Sequence, residues 1–158
     1  MKRVPVGKNE YAMVDDDDYA RVSAVNWYIT GHGYAYSEKV LSGKTSKILM
    51  THFIMGKPEK GFVVDHINRN RLDNRKDNLR FCTLAQNNMN RKMQKNNTSG
   101  YTGVFWHKPA KKWQVFICID KKQTHVGIYA DKKEAALAYN EAAKEHYGEF
   151  ARLNVITD

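Results

Sequence analysis

The stretch VVDHINRNRLDNRKDNLRFCTLAQNNMNR, residues 63–91, puts an acid beside a histidine and then repeats short amide side chains. Cutting a phosphodiester requires an activated water, relief of negative charge at phosphorus and a stabilised leaving oxygen. A neutral histidine can supply the first, and a single divalent cation can supply the other two. Asp65 and His66 therefore form a candidate pair of cation ligand and general base.

Asp65 and His66 are neighbours in FVVDHI, which has the composition of a short strand. Strict alternation along a strand would send their side chains to opposite faces. The rule loosens at the end of a strand, so we expect both side chains to line one cleft. After this strand, the polar loop NRNRLDNRKDN and a second strand, LRF, complete a strand–loop–strand order.

A helix is predicted next, because Thr83 and Gln86 have the spacing of a capping box. It should run from about residue 84 to residue 92. Asn87 lies one turn into this helix and could offer a second oxygen ligand. One carboxylate, one amide oxygen and waters make a hard, incomplete shell, which suits Mg²⁺ or Mn²⁺.

The other polar residues nearby have plainer interpretations. Asn68, Asn70 and Asn74 are expected to cap turns, as asparagine commonly does. His52, in the short helical stretch 51–55 that Gly56 should end, could join a metal shell, but a packing or phosphate role is favoured.

Positive charge is concentrated on the amide-rich segment. The whole chain has 158 residues and a net charge of +9, and residues 57–95 contribute +6 from 10 basic and 4 acidic side chains. Residues 1–56 contribute +1 and residues 96–158 contribute +2. A local field of this sign suits a polyphosphate partner, although a merely basic surface has the same composition.

Several classes of protein are excluded or disfavoured. No run approaches the roughly 18 apolar residues of a membrane span, and no apolar segment follows the basic N-terminus as in a signal peptide. Cys82 and Cys118 lack the CxxC spacing of a structural zinc site. We therefore expect a cytoplasmic protein with no membrane partner, no organic cofactor and no structural zinc.

His66, Asn78 and Asn87, set in DHIN…LDN…DNL…QNN, resemble the HNH endonuclease motif in the H-N-N variant of phage and intron homing nucleases. The resemblance implies a ββα-metal (His-Me) finger over residues 57–95. It also implies roles: Asp65 as a metal ligand, His66 as the general base and Asn78 as a hydrogen-bonding residue that orients the histidine across the loop. Asn87 would be the second metal ligand, where other members have histidine.

The DNA contacts expected around this centre are basic. Arg69, Arg71 and Arg91 are candidates, the last because it lies one helical turn beyond Asn87 on the same face. Other arginines and lysines in the segment could be phosphate contacts or simply solvated.

A small α+β region is predicted to precede the motif, over residues 1–56. The acidic run at residues 15–18 is expected to begin a helix, where carboxylates complement the helix dipole. GYAYSEK and KVLSGKTSKILM are expected to form strands, the latter paired around a turn at residues 42–43. Residues 96–100 read as a linker.

The C-terminal residues 101–158 alternate as three strands, followed by a helix capped by Asp131 and ended by Gly148. YTGV, KKW, HVGIY, EAALAYNEAA and YGEFARLN resemble an APETALA-two (ethylene-response-factor) DNA-binding domain. In that family the sheet lies in the major groove and the helix backs it. Alternation directs Val104, Trp106, Trp113, Val115 and Ile117 toward the helix.

The opposite face of this sheet is the expected DNA-binding face. Plant members carry arginines, a glutamate and a tryptophan at several of its positions, so this chain should read DNA differently, with lysines contacting phosphates. The expected base-facing residues are Phe105, His107, Gln114, Phe116, Gln123 and His125, together with Cys118, and the expected phosphate contacts include Lys111 and Lys112.

The predicted fold class is thus α+β: an N-terminal α+β region, a ββα-metal finger, and a three-stranded antiparallel sheet packed on one helix. The predicted function is a Mg²⁺- or Mn²⁺-dependent homing-type endonuclease that cuts double-stranded DNA to 5′-phosphate and 3′-hydroxyl ends, acting as a monomer or weak dimer. Two alternatives stay open: a DNA-binding transcription regulator with a non-catalytic metal finger, and a basic RNA-binding module.

Overall fold

The computed structural model describes residues 1–41, 44–90, 93 and 97–156. The chain divides into two compact units, Met1–Asn87 and Asn88–Asp158. The region expected at 1–56 and the expected 57–95 core, as far as residue 87, therefore share the first unit. The turn at residues 42–43, Arg91 and part of the 96–100 linker lie outside the described residues.

The first unit begins with a hairpin, a helix and a three-stranded antiparallel sheet, followed by a second short helix. Each strand of this sheet pairs with the strand that follows it in the chain. The elements are β1 (Lys2–Pro5), β2 (Tyr11–Val14), α1 (Asp16–Ser23), β3 (Tyr28–Ile29), β4 (Ala35–Leu41), β5 (Lys44–Leu49) and α2 (Met50–Met55).

The local signals explain where these helices begin and end. The first turn of α1 carries Asp16, Asp17 and Asp18, as the acidic run predicted, because carboxylates are favourable near the free N–H groups of a helix start. Gly56 ends α2 with φ of 87°, and its N–H donates to the His52 carbonyl oxygen at 3.0 Å. Both predictions are confirmed.

The amide-rich segment folds as β6 (Phe62–His66), a 3₁₀ turn (Lys76–Asn78), β7 (Leu79–Thr83) and α3 (Leu84–Met89). The two strands are antiparallel, with Asp65 opposite Arg80 and His66 opposite Leu79. This is the predicted strand–loop–strand–helix order. The helix ends at Met89 within the described residues, short of the predicted residue 92.

The capping box at the start of α3 is confirmed. The Thr83 N–H donates to Gln86 Oε1 at 2.8 Å, and the Gln86 N–H donates to Thr83 Oγ1 at 3.2 Å. Two amide groups that no helical carbonyl can reach are thereby satisfied. The helix that carries Asn87 consequently starts at a fixed residue.

The core of the first unit joins the N-terminal hairpin to the amide-rich segment. Val4, Val14, Val22 and Met50 are buried there together with Leu79 of β7. The backbone of Met13 also bonds to the loop between β6 and β7: its N–H donates to the Leu72 carbonyl oxygen at 2.7 Å, and its carbonyl accepts from the Asn74 N–H at 2.8 Å. The N-terminal region thus supports the loop directly.

The second unit is a three-stranded antiparallel sheet, in which each strand pairs with the next one in the chain, followed by one long helix. Asp131 caps this helix, accepting from the N–H groups of Lys133 and Glu134 at 2.7 and 2.9 Å. The elements are β8 (Val104–His107), β9 (Lys112–Ile119), β10 (Lys122–Tyr129) and α4 (Lys132–Tyr147).

Small residues let the sheet approach α4. Val104, Val115 and Ile117 are buried in the same core as alanines at 135, 136 and 143. Gly103 is needed at the sheet's entry, because its φ is +75° and a Cβ there would collide with the Tyr139 ring and the Phe116 carbonyl oxygen. Val104, Val115 and Ile117 belong to the side of the sheet that was predicted to face the helix.

Trp106 lies on the predicted face, opposite Trp113 in the register of β8 and β9, but it is not buried in the core. Its side chain is 45% exposed, and it packs edge-on against Trp113 with ring centroids 4.9 Å apart. Trp106 lies next to the end of β8, an edge strand of the sheet, so alternation alone overstates its burial. None of the described helices is both long enough and apolar enough to cross a membrane.

Candidate functional site

Asp65 is fixed by its cross-strand neighbour. The Arg80 guanidinium donates through Nε and Nη2 to the same carboxylate oxygen, Oδ2, at 3.2 and 3.0 Å. Both side chains are largely buried, with 8% of Asp65 and 12% of Arg80 exposed. Because residues directly opposite in an antiparallel pair share a face, the strand register brings the Asp65 carboxylate and the Arg80 guanidinium together.

His66 is the last residue of β6 and is only 4% exposed. Its Nε2 lies 3.3 Å from Asn74 Oδ1, and its ring centroid lies 6.0 Å from that of Tyr34. Burial lowers the pKa of His66; the Asn74 hydrogen bond and the charges of Asp65 and Asp73 act in the opposite direction without reversing it. The imidazole is therefore neutral near pH 7 and able to accept a proton.

Asp73 is the centre of the loop between β6 and β7. Its carboxylate accepts hydrogen bonds from Arg75 Nε and Nη2 and from Asn68 Nδ2, all at 2.8 Å. The Arg75 contact is the main reason why the pKa of Asp73 is lowered, with burial acting against it. A charged group with this many partners holds a fixed position.

Asn78 crosses the same loop. Its Nδ2 donates to the Asp73 carbonyl oxygen at 2.7 Å, and its Oδ1 accepts from the Asn68 N–H at 3.0 Å. Asn68 and Asn70 make the bonds of turn-forming asparagines: Asn68 Oδ1 accepts from the Asn70 N–H, and Asn70 Oδ1 accepts from the Leu72 N–H. These contacts explain why short amides recur in the sequence.

Acidic residues at the start of α1 contact the loop between β6 and β7. Asp15 Oδ2 accepts from the Lys76 N–H at 2.8 Å, and Lys76 Nζ lies 3.0 Å from Asp18 Oδ2. Burial acts against ionisation of Asp18, but its contacts with Arg21 and Lys76 outweigh this and lower its pKa. The acidic run therefore has a second role, which its helix-starting pattern did not predict.

The donors available to a metal ion are oxygens. No cluster of three His, Cys, Asp or Glu side chains able to hold a metal occurs in the described part of the chain. Asp65 offers a carboxylate at the end of β6, and Asn87 offers an amide on the helix directly after β7. Such a donor set fits a hard cation that keeps several waters, and it does not fit a closed zinc site.

Arg71 and His66 both lie against the ring of Tyr34, in the turn at residues 30–34. The Arg71 guanidinium stacks on the Tyr34 ring, 4.7 Å from the centroid, and Nη1 donates to the His32 carbonyl oxygen. Arg69 is exposed, with a left-handed φ of 64°. His52 is on α2, and burial followed by the charge of Lys57 lowers its pKa.

The outward face of the second unit's sheet carries a row of rings. Phe105 and Phe116 have centroids 6.3 Å apart, and Phe116 and His125 have centroids 5.2 Å apart. The exposed side chains include Phe105, Lys111, Lys112, Cys118, Gln123 and His125, while His107, Gln114 and Phe116 are partly buried.

Sequence reasoning missed three contacts at the first unit's site. The sequence indicates only a turn role for Asn74, assigns no role to Asp73 and does not distinguish Arg80 from the other basic residues of the segment. Local spacing held no signal for Asn74, because its contact with His66 depends on how the loop folds back. The Arg80–Asp65 pair could have been found from the strand register.

Residues 49–89 match a family described as HNH endonuclease. An uncharacterized HNH endonuclease of Acanthamoeba polyphaga mimivirus is 32% identical over 151 residues, which cover 95% of this chain and 78% of that protein. Protein 3.8 of Escherichia phage T7 is 35% identical over 94 residues, covering 60% of this chain and 77% of that protein. No solved structure matches the chain.

Proposed function

This chain belongs to the HNH endonuclease family, and from that premise we propose that it hydrolyses a phosphodiester bond of double-stranded DNA, leaving 5′-phosphate and 3′-hydroxyl ends. The observation that carries the proposal is the seating of His66, a buried and neutral imidazole beside Asp65, within the residues that match the family. Binding alone would not require a water activator there.

In the proposed reaction, His66 accepts a proton from a water molecule that attacks phosphorus in line with the departing 3′ oxygen. The loop holds the imidazole in place, so little reorganisation is needed when the substrate arrives. Asn78 contributes through the hydrogen bonds that close the loop over Asp73.

Asp65 and Asn87 would hold a Mg²⁺ or Mn²⁺ ion as part of a ββα-metal finger. When bound, such an ion supplies positive charge near the scissile phosphate and its leaving oxygen. Before an ion binds, Arg80 would orient the Asp65 carboxylate and partly neutralise its charge. Oxygen ligands disfavour soft metals, so zinc should support the reaction poorly.

Contacts with DNA are proposed on both units. Arg69, Arg71 and Arg91 would meet phosphates near the cut. In the second unit, the APETALA-two-like sheet would enter the groove with its outward face, and Lys111 and Lys112 would meet phosphates. The base-facing set would be Phe105, His107, Gln114, Phe116, Gln123 and His125.

The relatives from a mimivirus and from phage T7 support a proposal for the biological setting. A homing-type enzyme of a phage or mobile element, acting in the cytoplasm of the host cell as a monomer or weak dimer, is consistent with them. A monomer with one such centre would nick one strand, whereas a dimer could cut both.

The test is incubation of supercoiled plasmid with the full chain and Mg²⁺, with and without chelator, followed by mapping of the ends. Metal-dependent nicking with 5′-phosphate ends is expected. Binding of DNA without metal, and no nicking in Mg²⁺ or Mn²⁺, would overturn the proposal in favour of a regulator with a non-catalytic finger. Preference for single strands or hairpins would favour an RNA-binding module.

A further inference from the structure

The outward face of the second unit's sheet, on the side away from the core shared with α4, combines amide and apolar side chains. In the strand register, Gln114 of β9 lies opposite Phe105 of β8 on one side and Ile128 of β10 on the other. Residues directly opposite share a face of a sheet, so the two apolar side chains flank the Gln114 amide. Phe105 and Ile128 are exposed. Among the described residues, the Gln114 side chain has no hydrogen-bond partner.

The rows of side chains on this face are spaced like base pairs. Phe116 lies opposite His125, and Cys118 lies opposite Gln123. Successive rows are two residues apart along β9, which is about 7 Å in an antiparallel strand. Two base-pair steps of a duplex span about the same length, since each step rises about 3.4 Å. The face can therefore meet successive base pairs along a groove.

Charge is divided unequally within the second unit. Residues 101–130, which include the sheet, contain five lysines, no arginine and one aspartate, for a net charge of +4. Residues 131–158, which include α4, contain four basic and six acidic residues, for a net charge of −2. A polyanion is therefore attracted to the sheet rather than to the helix.

The turns at the two ends of β9 hold lysines in an unfavourable backbone conformation. Asp120 and Lys121 form the two-residue turn between the paired Ile119 and Lys122, and their φ values are 48° and 65°. Such a turn favours glycine at its second position, because glycine adopts positive φ without steric cost. Lys111, in the turn at the other end, has a φ of 49°. The lysines supply charge where the backbone would favour glycine, which suits contacts to phosphates on both sides of a groove.

The side chains between these two turns match A·T base pairs. A glutamine amide can accept from N6 of adenine and donate to its N7, and an apolar side chain can contact the C5-methyl group of thymine. Guanine is read chiefly by arginine or lysine, and residues 101–130 contain no arginine. The lysines of this segment lie in the turns or next to them, at residues 108, 111, 112, 121 and 122.

We propose that this face is specific for A·T base pairs in the major groove: Gln114 binds adenine, while Phe105 and Ile128 contact thymine methyl groups. The inference rests on the proposed DNA binding by the second unit and names the class of site that this unit recognises. It does not depend on how the first unit cuts.

The test is selection of the duplexes that the full chain binds in chelator, starting from a pool with a random central segment. Chelator prevents metal-dependent cleavage, so that only binding is selected. The affinity for a selected duplex is then compared with that for the same duplex carrying deoxyuridine in place of thymidine. This change removes the C5-methyl group from the major groove and leaves the base pair intact.

The selected duplexes should be enriched in A·T pairs, and deoxyuridine should lower the affinity by about fourfold for each contacted methyl group. Phe105→Ala should bind the thymidine and deoxyuridine duplexes more nearly equally. Gln114→Ala should reduce the preference for the selected duplex, over one with G·C in place of A·T, by about fivefold or more. Leu137→Ala is the matched control, because Leu137 is an exposed apolar residue of α4, and it should keep both ratios.

Selected duplexes without A·T enrichment would overturn the inference, and so would equal affinity for the thymidine and deoxyuridine duplexes. Unchanged ratios in both Phe105→Ala and Gln114→Ala would overturn it as well, because the preference would then come from another surface. Binding of no duplex has the same consequence.

Plasmid nicking in Mg²⁺ is measured separately. Nicking without A·T-specific binding would overturn this inference and leave the nuclease function standing. Binding specific for A·T pairs without nicking would support the inference and count against the nuclease function alone.

Discussion

The Arg80 guanidinium donates to Asp65 Oδ2 through both Nε and Nη2, at 3.2 and 3.0 Å. A permanent cation thus rests against the carboxylate that we propose as a metal ligand. The arrangement neutralises a buried charge in the absence of metal.

Arg80→Ala is expected to destabilise the protein by about 3 kcal/mol, because removing one partner of a buried ion pair leaves the other charge uncompensated. Mn²⁺ should restore part of this stability if Asp65 is a ligand. The measurement is urea denaturation with and without Mn²⁺. Arg80→Lys, which retains the charge, is the control, and its stability should lie between those of Arg80→Ala and the wild type. Equal stability of Arg80→Ala and wild type would show that the pair is unimportant.

His66→Ala should lower the rate of plasmid cleavage by at least about 100-fold, since general-base catalysis typically contributes that much. DNA affinity, measured by gel shift in chelator, should stay within a few-fold of the wild type. His146→Ala, an exposed histidine of α4, is the matched control. Normal cleavage by His66→Ala would show that His66 is not the general base.

The double substitution of Lys111 and Lys112 by alanine tests the second unit's phosphate contacts. Each lost phosphate contact should reduce the slope of log affinity against log salt by about 0.9. DNA affinity measured across a range of salt concentrations gives that slope. Lys144→Ala, an exposed lysine in the last turn of α4, should leave it unchanged. A slope that is the same in the double variant would place the DNA on another surface.

Asp73→Asn tests the loop through acid stability. Because the pKa of Asp73 is lowered in the folded protein, its ionised form stabilises the fold above the unfolded-state value of about 4, and this stability is lost as pH falls through the lowered pKa. The variant should be less stable at pH 7 by about 2 kcal/mol, and it should lose less stability on acidification.

Melting temperatures between pH 7 and pH 3 report this difference. Asp77→Asn is the control. The Asp77 side chain is 74% exposed, and its Oδ2 lies 3.9 Å from Arg75 Nη1. Parallel curves for wild type and Asp73→Asn would mean that the Arg75 contact does not contribute to the pH dependence.

Short-range signals predicted much of the fold. The capping box of Thr83 and Gln86, the acidic start of α1 and the Gly56 stop of α2 each depend on residues a few positions apart. The strands and helix of the second unit were predicted for the same reason. Trp106 was misjudged because alternation gives a side chain's face and not its depth at a sheet edge.

Contacts between distant residues could not be predicted in this way. Asn74 meets His66 because a loop folds back on a strand, and Met13 joins that loop from about sixty residues away in the chain. Neither pairing leaves a periodic pattern. The types of residue at the candidate site were visible in the sequence, but their partners depended on the tertiary structure.

The backbone bonds between Met13 and the loop at Leu72 and Asn74 bear on any attempt to transplant the cutting centre into another protein. A cassette starting at residue 49, where the family match begins, would carry all four side chains with proposed catalytic and metal-binding roles. It would lack the strand that borders their loop. A graft should therefore bring the first hairpin along, or recruit an equivalent strand from its new host.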